Sequence, residues 1–405
     1  MQNVNAENTA PCSGCGGCAA VCPKGAIRLE LDKKGFYRAV VQEENCIDCG
    51  LCRKVCHRFS QPKGGVSLYD AKLYALQSTA SGTVQKCSSG GIAHELAVQM
   101  LSDGGKAAGA VYDLTKNGVC HEIISEVAEV SRLDGSKYLQ SNPENAFTEV
   151  LREAQHTPYA VFGTPCQVAA LAAAAELRGV REQLLLVEIF CHGVPSYKLW
   201  EKTLKKVEKK LGTARFEDVQ FRYKKDDWHS YCLKITGNGK SYYGKRETEL
   251  FWQVFFENVL LGDACQICQA RRTESRADIR LGDYWGSRFQ HRSDGVSAVF
   301  ACTPRGENAI ERLLAEGRVT ALEASTAAEM LAAQNMEGYH HQKLHEGAMA
   351  ILEEQGLDTA VSYYRSRQSG KQKLKRVLLR VSALVPDPIR AKLRKANSSR
   401  LLRKS

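Results

Sequence analysis

The chain has 405 residues, of which 43% are hydrophobic and 25% are charged, the composition of a globular protein with more than one average domain. No run of about 18 apolar residues occurs, which excludes a membrane-spanning helix, and residues 1–11 lack the apolar segment of a secretory signal. The net charge of +11 comes from the end of the chain, because residues 371–405 carry twelve basic side chains and one acid.

The first predicted element is a duplicated run of cysteines, in which each member of the second run lies 34 residues after its counterpart. Two-residue spacings let three thiolates face one iron–sulfur cubane, while the fourth cysteine of each run ligates the other cluster. We therefore predict two [4Fe–4S] clusters. Their predicted ligands are Cys12, Cys15, Cys18 and Cys56 for one cluster, and Cys46, Cys49, Cys52 and Cys22 for the other.

This run resembles the bacterial two-cluster ferredoxin. His57 stands where that pattern usually has proline, so we expect a local change in loop rigidity or cluster potential. Zinc is the alternative, but structural zinc sites take four ligands in two pairs, and eight thiolates in this order exceed that need. Sixteen cysteines without an export signal favour metal binding over disulfides and indicate a reducing, cytoplasmic compartment.

The remaining elements predict a mixed α+β fold. Residues 26–31 and 36–41 alternate around a turn and predict a β-hairpin. After a turn-rich linker, apolar strands alternate with helices, and three consecutive strands at 221–223, 231–235 and 241–243 indicate that part of the sheet is antiparallel. We predict a 2[4Fe–4S] ferredoxin-like domain at 1–60, an α/β flavin-binding domain with a mixed sheet at 68–340, and a helical extension with a basic tail at 341–405.

Four loops of the second domain carry unusual residues at the ends of predicted strands, where open α/β sheets bind ligands. Three of them contain Gly163–Gln167, Cys191–Gly193 and Gly282–Gly286. The fourth, Lys86–Gly91, opens a helix, and its Ser/Gly backbone could bind a phosphate group. Ser89 could equally be only an N-cap.

These motifs, with Gly135–Ser141 and Asp278–Gly286, resemble the coenzyme F420 hydrogenase/dehydrogenase beta-subunit family over about residues 70–300. The resemblance implies a flavoprotein that holds FAD and an additional [4Fe–4S] cluster, and that passes electrons between clusters, flavin and a deazaflavin or other two-electron partner. The flavin contacts that it implies are Ser88, Ser89, Gly90, Gly91, Lys137, Tyr138, Gly163, Thr164 and Pro165. Lys137 could place a positive charge near the flavin, or be an ordinary solvated lysine.

A third cluster follows as a hypothesis. Cys265-x2-Cys268 is a ligand pair with suitable spacing, and Cys166 and Cys191 follow two strands that we predict to be neighbours. The alternative is that Cys166 and Cys191 are buried small residues, and Cys87 is the substitute ligand. The other cysteines, Cys120, Cys232 and Cys302, lie in apolar runs and are predicted core residues. Trp285 could stack on a ring or pack, and His192 could relay a proton.

The basic tail mixes apolar and basic residues at helical spacing. It predicts peripheral attachment to anionic lipid at the inner face of the membrane or docking on an acidic partner, and a solvated terminus is the plain alternative. Nucleic-acid binding is excluded, because few aromatic residues accompany the charges.

Together these features predict an iron–sulfur flavoprotein oxidoreductase. A one-electron donor, ferredoxin or a redox partner subunit, exchanges electrons through the clusters and FAD with a two-electron acceptor. We assign no catalytic side chain. The alternatives are a non-catalytic ferredoxin-like electron carrier and a reductase serving surface-polysaccharide biosynthesis.

Overall fold

The N-terminal cysteine repeat folds around a β-hairpin, as predicted. The protein is described here by a computed structural model covering residues 2–5, 11–59, 64–224, 227–334, 336, 342–382 and 389. Strand β1 (Ile27–Leu31) pairs antiparallel with β2 (Tyr37–Val41). Two short helices, α1 (Gly17–Val21) and α2 (Leu51–Lys54), follow the two cysteine loops, each after a glycine in the left-handed conformation. The two cysteine runs therefore have the same local structure.

The body of the chain alternates strands and helices up to residue 332. Its elements, in chain order, are β3 (Val66–Ser67), β4 (Lys72–Ser78), α3 (Ser81–Lys86), α4 (Ile92–Ser102), β5 (Lys106–Asp113), β6 (Gly118–Ile124), α5 (Glu144–Glu153), β7 (Tyr159–Gly163), α6 (Pro165–Arg178), β8 (Leu184–Ile189), α7 (Tyr197–Leu211), β9 (Asp218–Gln220), β10 (Cys232–Gly237), β11 (Lys240–Lys245), α8 (Leu250–Glu257), α9 (Asp263–Gln266), β12 (Glu274–Ser275), β13 (Ile279–Asp283), β14 (Ser297–Ala301), α10 (Pro304–Ala315), β15 (Val319–Leu322) and α11 (Ala327–Ala332).

Eight of these strands form one mixed sheet in the order β15-β4-β14-β13-β8-β7-β5-β6. The four strands β13, β8, β7 and β5 are parallel, and β14 and β6 flank them in the antiparallel sense. Because β4 is antiparallel to β14, it points the same way as the central four. The predicted mixed α+β fold is confirmed, and the carboxyl ends of these five strands share one edge of the sheet, hereafter the carboxyl edge.

A second sheet, β11-β10-β9, is wholly antiparallel. The prediction of a strand at 221–223 is wrong: β9 ends at Gln220 and residues 221–222 form a turn. This turn lets the buried guanidinium of Arg222 donate to the carbonyl of Trp228 at 2.8 Å and to the carboxylate of Asp283 at 3.1 Å. These hydrogen bonds compensate the buried positive charge of Arg222, and the turn that allows them ends the strand at Gln220.

The ferredoxin-like unit packs directly on the body. Val21 and Val55 lie in one apolar cluster with Val161, Leu171 and Leu186 of the main sheet and α6. A side chain at Gly17 would place its Cβ 2.8 Å from that of Ala170 on α6, so only glycine allows this approach. The contact seats the first cysteine loop against the first half of α6.

Three helices follow the body, α12 (Gln342–Glu354), α13 (Leu357–Ser366) and α14 (Gly370–Ser382). The first two pack on the large core cluster, whereas α14 leaves Leu374, Val377, Leu378 and Val381 between 53% and 59% exposed. The predicted helical extension is thus found over 342–382, and the basic side chains after residue 389 lie outside the described residues. None of the described helices combines the length and apolarity that crossing a bilayer requires.

Candidate iron–sulfur and flavin sites

The first cysteine set surrounds a small cavity. Its lining includes all four thiols predicted for one cluster, Cys12, Cys15, Cys18 and Cys56, together with Leu29 and Ala39 of the hairpin. Burial raises the pKa of Cys18 well above its ordinary value, and the nearby charges of Cys15, Cys12 and Cys56 raise it further. Burial and then Cys15 raise the pKa of Cys56 to about 12. The fold therefore brings Cys56 close to the first cysteine run, which precedes it in the chain by some forty residues.

The second set lies nearer the surface. Burial raises the pKa of Cys52, and the charges of Cys22 and Cys49 add to the effect, so the structure brings Cys22 to the second run. The side-chain amide of Asn3 donates to the sulfur of Cys46 at 3.5 Å. Cys49 is exposed, unlike the other seven cysteines of the two runs.

Backbone amides are directed at the sulfur atoms. The amide of Gly14 donates to Cys12 Sγ at 3.4 Å, and that of Ala26 donates to Cys22 Sγ at 3.3 Å. The amide of Gly17 similarly opposes the rise in the pKa of Cys15 that burial causes. Amide donors to sulfur stabilise thiolate and tune cluster potential, so these loops fit [4Fe–4S] groups.

A third cysteine set assembles at the carboxyl edge of the main sheet. Cys166 lies in the first turn of α6 after β7, Cys191 follows the neighbouring strand β8, and Cys265 and Cys268 lie in and just after α9. Burial raises the pKa of Cys166, followed by the charges of Cys268, Cys15 and Cys191. Burial, then Cys265 and Cys268, raises that of Cys191 to about 12. The structure therefore brings together the four cysteines predicted for a third cluster.

Local structure explains how these four thiols meet. Thr164 caps α6 through a capping box with Gln167, and its hydroxyl lies 3.3 Å from Cys166 Sγ. Gly193 has φ +125°, and a Cβ there would lie 2.9 Å from Leu261 and 3.4 Å from the Cβ of Cys265. Glycine thus allows the loop after β8 to approach the cysteine pair closely.

Positive charge surrounds this third set. The guanidinium of Arg271 donates to the carbonyl of His192 at 3.3 Å, and its charge lowers the pKa of Cys191 and Cys265 against the larger effect of burial. Arg38 lowers the pKa of Cys265 in the same way and also donates to the carbonyl of Cys12. Two cations therefore favour negative charge at this position.

The first cysteine set lies next to both of the other sets, and this succession of neighbouring sets is hereafter called the row. Cys52 of the second set raises the pKa of Cys18, and Cys15 of the first set raises that of Cys166. Gln140 fixes the middle of the row, because its side chain donates to the carbonyl of Ser13 at 2.9 Å and accepts from the amide of Tyr37 at 2.7 Å. The row runs from the exposed Cys49 to the carboxyl edge.

The loop predicted to bind flavin phosphate is closely packed. The hydroxyl of Ser89 donates to the carbonyl of Val296 at 2.7 Å, and a Cβ at Gly90 would lie 2.4 Å from the carbonyl oxygen of Leu76. Gly91, with φ +88°, is the N-cap of α4 and has no capping side chain, so the N-cap interpretation of Ser89 is wrong. Because Gly91 supplies no capping oxygen, the N-terminus of α4 is a position suited to an anionic group.

Lys137 and Tyr138 have different surroundings. The ammonium of Lys137 donates to the carbonyls of Arg132 and Asp134 at 3.0 and 2.9 Å, and burial lowers its pKa to about 8. Its neighbour Ser136 donates through its amide to the hydroxyl of Ser88 at 2.8 Å. Tyr138 instead packs its ring edge-on against Trp252 at 4.9 Å. The structure brings Lys137 to the Ser88–Gly91 loop and directs Tyr138 into the aromatic core.

The residues predicted at the end of β7 are Gly163, Thr164 and Pro165. They form the end of this strand and the start of α6, where Thr164 is the N-cap and Pro165 the first helical residue. They therefore lie beside Cys166 and share the carboxyl edge with Ser88–Gly91.

An aromatic and cationic group at the end of β13 escaped the sequence analysis. Trp228 stacks on Trp285 with ring centroids 5.5 Å apart, and Arg222 lies 4.3 Å from the ring centre of Tyr231. The indole of Trp228 also donates to Asp283 at 2.7 Å. The sequence predicts a role only for Trp285 of this group, because Arg222 and Trp228 belong to no recognisable motif. Such a surface can bind a planar or anionic group.

The fold and the cysteine loops define an iron–sulfur protein with a mixed-sheet second domain. Residues 11–59 match the model of the 4Fe-4S dicluster domain. Residues 156–327 match the model for the C terminus of the coenzyme F420 hydrogenase/dehydrogenase beta subunit. The chain therefore carries a domain of that family behind a two-cluster domain, and the predicted resemblance is confirmed.

Two individual proteins are similar over most of the chain. An uncharacterized protein of Methanocaldococcus jannaschii is 25% identical over 355 residues, which covers 77% of this chain and 89% of the relative. The structure of the F420-reducing [NiFe] hydrogenase complex from Methanosarcina barkeri, studied by xenon derivatization, contains a chain that is 18% identical with a TM-score of 0.46. The overlap covers 71% of this chain and 94% of that one.

Proposed function

We propose that this protein is an iron–sulfur flavoprotein oxidoreductase that passes electrons between a one-electron donor, ferredoxin or a partner subunit, and a two-electron acceptor. The observation that carries the proposal is the row of three cysteine sets from the exposed Cys49 through Cys15 to Cys166. When bound, iron–sulfur clusters supply single-electron transfer and a flavin couples it to two-electron chemistry.

The third set is proposed to hold a third [4Fe–4S] cluster on Cys166, Cys191, Cys265 and Cys268. Four neighbouring, half-buried cysteines without a disulfide support this assignment. Backbone amides of Gly193 and Val194 donate to two of these sulfur atoms, the arrangement seen in the first two sets. Cys87 is not among the close neighbours of this set, so it is no longer needed as a substitute ligand.

The flavin is proposed to be FAD, bound at the carboxyl edge next to the third set. The uncapped N-terminus of α4, the Ser88–Ser136 contact and the Lys137 ammonium support a phosphate-bearing cofactor there. Thr164 and Pro165 border the proposed flavin site on the side of Cys166. In this role Lys137 holds a positive charge near the cofactor, and the closely packed Gly90 fixes the loop.

The test is a count of cofactors in anaerobically purified protein. Three clusters give about 12 iron atoms per chain and two give about 8, and denaturation should release a yellow flavin. In the Cys268→Ser variant iron should fall from about 12 to about 8. The matched control Cys302→Ser removes a buried thiol outside all three sets and should retain full iron.

The competing function is a non-catalytic electron carrier. Protein that holds about 8 iron atoms, releases no flavin and fails to couple reduced ferredoxin or viologen to any two-electron acceptor would exclude the oxidoreductase and leave the carrier. The second domain would then serve only to dock a partner.

The exposed face of α14 is proposed to contact an anionic membrane surface. Leu374, Val377, Leu378 and Val381 lie on one face of the helix at spacings of three and four residues. Lys371, Lys373 and Lys375 belong to the same helix, and basic residues near anionic lipid contribute about 1 kcal/mol each.

A vesicle experiment separates this contact from docking on a protein. Full-length protein should sediment with vesicles containing phosphatidylserine and not with pure phosphatidylcholine, and Leu378→Ser combined with Val381→Ser should abolish sedimentation. The matched double substitution of the exposed Leu31 and Val40 on the hairpin should leave it unchanged. Failure to bind either vesicle contradicts the lipid contact and leaves the acidic partner.

A further inference from the structure

A fourth group of side chains that can ligate a metal lies outside the three cysteine sets. The thiol of Cys87 donates to Asp134 Oδ1 at 3.4 Å, and Nδ1 of His94 lies 2.8 Å from the same oxygen. One sulfur, one nitrogen and one oxygen atom from these three residues all lie within 4.8 Å of one another. Zinc bonds of about 2.0–2.3 Å place ligand atoms at comparable separations.

The carboxylate in this group lacks a partner on one side. The side chain of Asp134 is only 6% exposed, and its Oδ2 has no hydrogen-bond partner among the described residues. Leaving a buried carboxylate oxygen unsatisfied destabilises the folded protein. A cation at this position would satisfy that oxygen.

Two lysines near this group are engaged elsewhere. The ammonium of Lys224 donates to the carbonyls of Val84 and Ser89, each at 2.7 Å, and that of Lys137 also donates to carbonyls. These side chains therefore fix the backbone around Cys87 and leave the Asp134 carboxylate open. Burial and then the charge of Asp134 raise the pKa of the Cys87 thiol well above its ordinary value, and the two lysines oppose this rise only in part.

The three ligands come from three separate elements. Cys87 ends α3, where its amide donates to the carbonyl of Thr83 at 3.0 Å. His94 lies in the first turn of α4, and Asp134 ends the 3₁₀ segment Val127–Leu133. A bound ion would join the consecutive helices α3 and α4 to a segment some forty residues further along the chain.

We propose that Cys87, His94 and Asp134 form a mononuclear site for a divalent transition metal, with zinc as the expected ion. A mixed sulfur, nitrogen and oxygen ligand set suits this ion. The thiolate and the carboxylate balance its two positive charges. Three protein ligands leave a fourth position for water or a solute, the pattern of zinc sites that act as Lewis acids. The site lies outside the three cysteine sets and adjoins the Ser88–Gly91 loop proposed for the flavin, because Cys87 precedes Ser88 and His94 lies in the first turn of α4.

The test measures zinc and iron together in holoprotein given one equivalent of zinc chloride and desalted. Wild-type protein should retain about one zinc per chain, and Cys87→Ser, His94→Gln and Asp134→Asn should each weaken zinc binding at least tenfold with iron unchanged. Zinc-edge X-ray absorption should give one sulfur and two or three nitrogen or oxygen neighbours. Cys302→Ser, another buried cysteine, is the matched control and should keep its zinc.

Three results would overturn the site. Wild-type protein with full iron that retains no zinc leaves only a hydrogen-bonded group of three side chains. Zinc with four sulfur neighbours belongs to a misloaded cluster loop. Equal zinc in wild type and in all three variants places the ion elsewhere. Because His94 is partly exposed, His94→Gln should fold even where Asp134→Asn fails, and wild-type zinc content decides independently of any variant.

Discussion

The two N-terminal cysteine sets and the third set reach similar arrangements by different routes. The first two sets lie within residues 12–56 and depend on local spacing and two left-handed glycines. The third gathers Cys166, Cys191 and the Cys265–Cys268 pair from two strand ends and a helix some seventy residues further on. A repeat can therefore encode a site locally, whereas the third site depends on the order and stability of the main sheet.

Removing one ligand from each region should have the largest effect. We expect Cys56→Ser to eliminate the first cluster, about four iron atoms per chain, and to abolish electron transfer from the proposed one-electron donor because the middle of the row is lost. Cys191→Ser should remove about four iron atoms from the third set and leave the signals of the N-terminal clusters. Iron analysis and low-temperature electron paramagnetic resonance separate the two outcomes. Equal loss of all signals in both variants would mean that the sets fold as one unit.

The buried ion pair between Arg280 and Glu188 tests the dependence on the sheet. These side chains join β13 to β8, are almost fully buried and lie just before the loops of the third set. Arg280→Met leaves a buried carboxylate uncompensated and should lower the free energy of unfolding by about 3–5 kcal/mol. Urea unfolding measures the loss. Adding Glu188→Gln should recover part of it, and no recovery would assign the loss to packing.

The close approach of Gly17 to Ala170 tests the contact between the two regions. Gly17→Ala forces two Cβ atoms that would lie 2.8 Å apart to separate and should cost about 1–3 kcal/mol. A double-mutant cycle with Ala170→Gly measures the coupling. An additive cycle would show that the ferredoxin-like unit moves freely on α6.

The histidine at the edge of the sheet adds a pH dependence. His121 is buried, its Nε2 lies 3.0 Å from the carbonyl oxygen of Phe162, and burial lowers its pKa to about 4 from an ordinary 6.5. The unfolded chain therefore binds a proton first as pH falls. The contribution of the neutral histidine to the free energy of unfolding is complete above about pH 6.5 and is lost toward pH 4. The loss between pH 7 and pH 5 should be about 2 kcal/mol.

Unfolding of wild type and His121→Gln at pH 7, 6 and 5, under argon, measures this difference. The glutamine amide can still donate to the Phe162 carbonyl but does not titrate. Its stability should fall less steeply with acid, and parallel curves for the two proteins would contradict the assignment.

Structure can be predicted from this sequence where the spacing of residues encodes it. The hairpin and the mixed sheet follow from alternation and from turn residues, and the cysteine repeat follows from a spacing that few other sites share. Residues such as Arg222 and Trp228 could not be found, because their group forms only when β9, β13 and the loop between β9 and β10 fold together. The group of Cys87, His94 and Asp134 was missed for the same reason, since forty residues separate His94 from Asp134.

The exposure of Cys49 has a consequence for handling the protein in air. Dioxygen attacks an accessible cluster before a shielded one, and the other cysteines of all three sets are buried or half-buried. Bleaching should therefore begin at the outer end of the row and proceed inward. Protein exposed briefly to air would then keep its inner clusters while losing the outer cluster at which the proposed one-electron donor would exchange electrons.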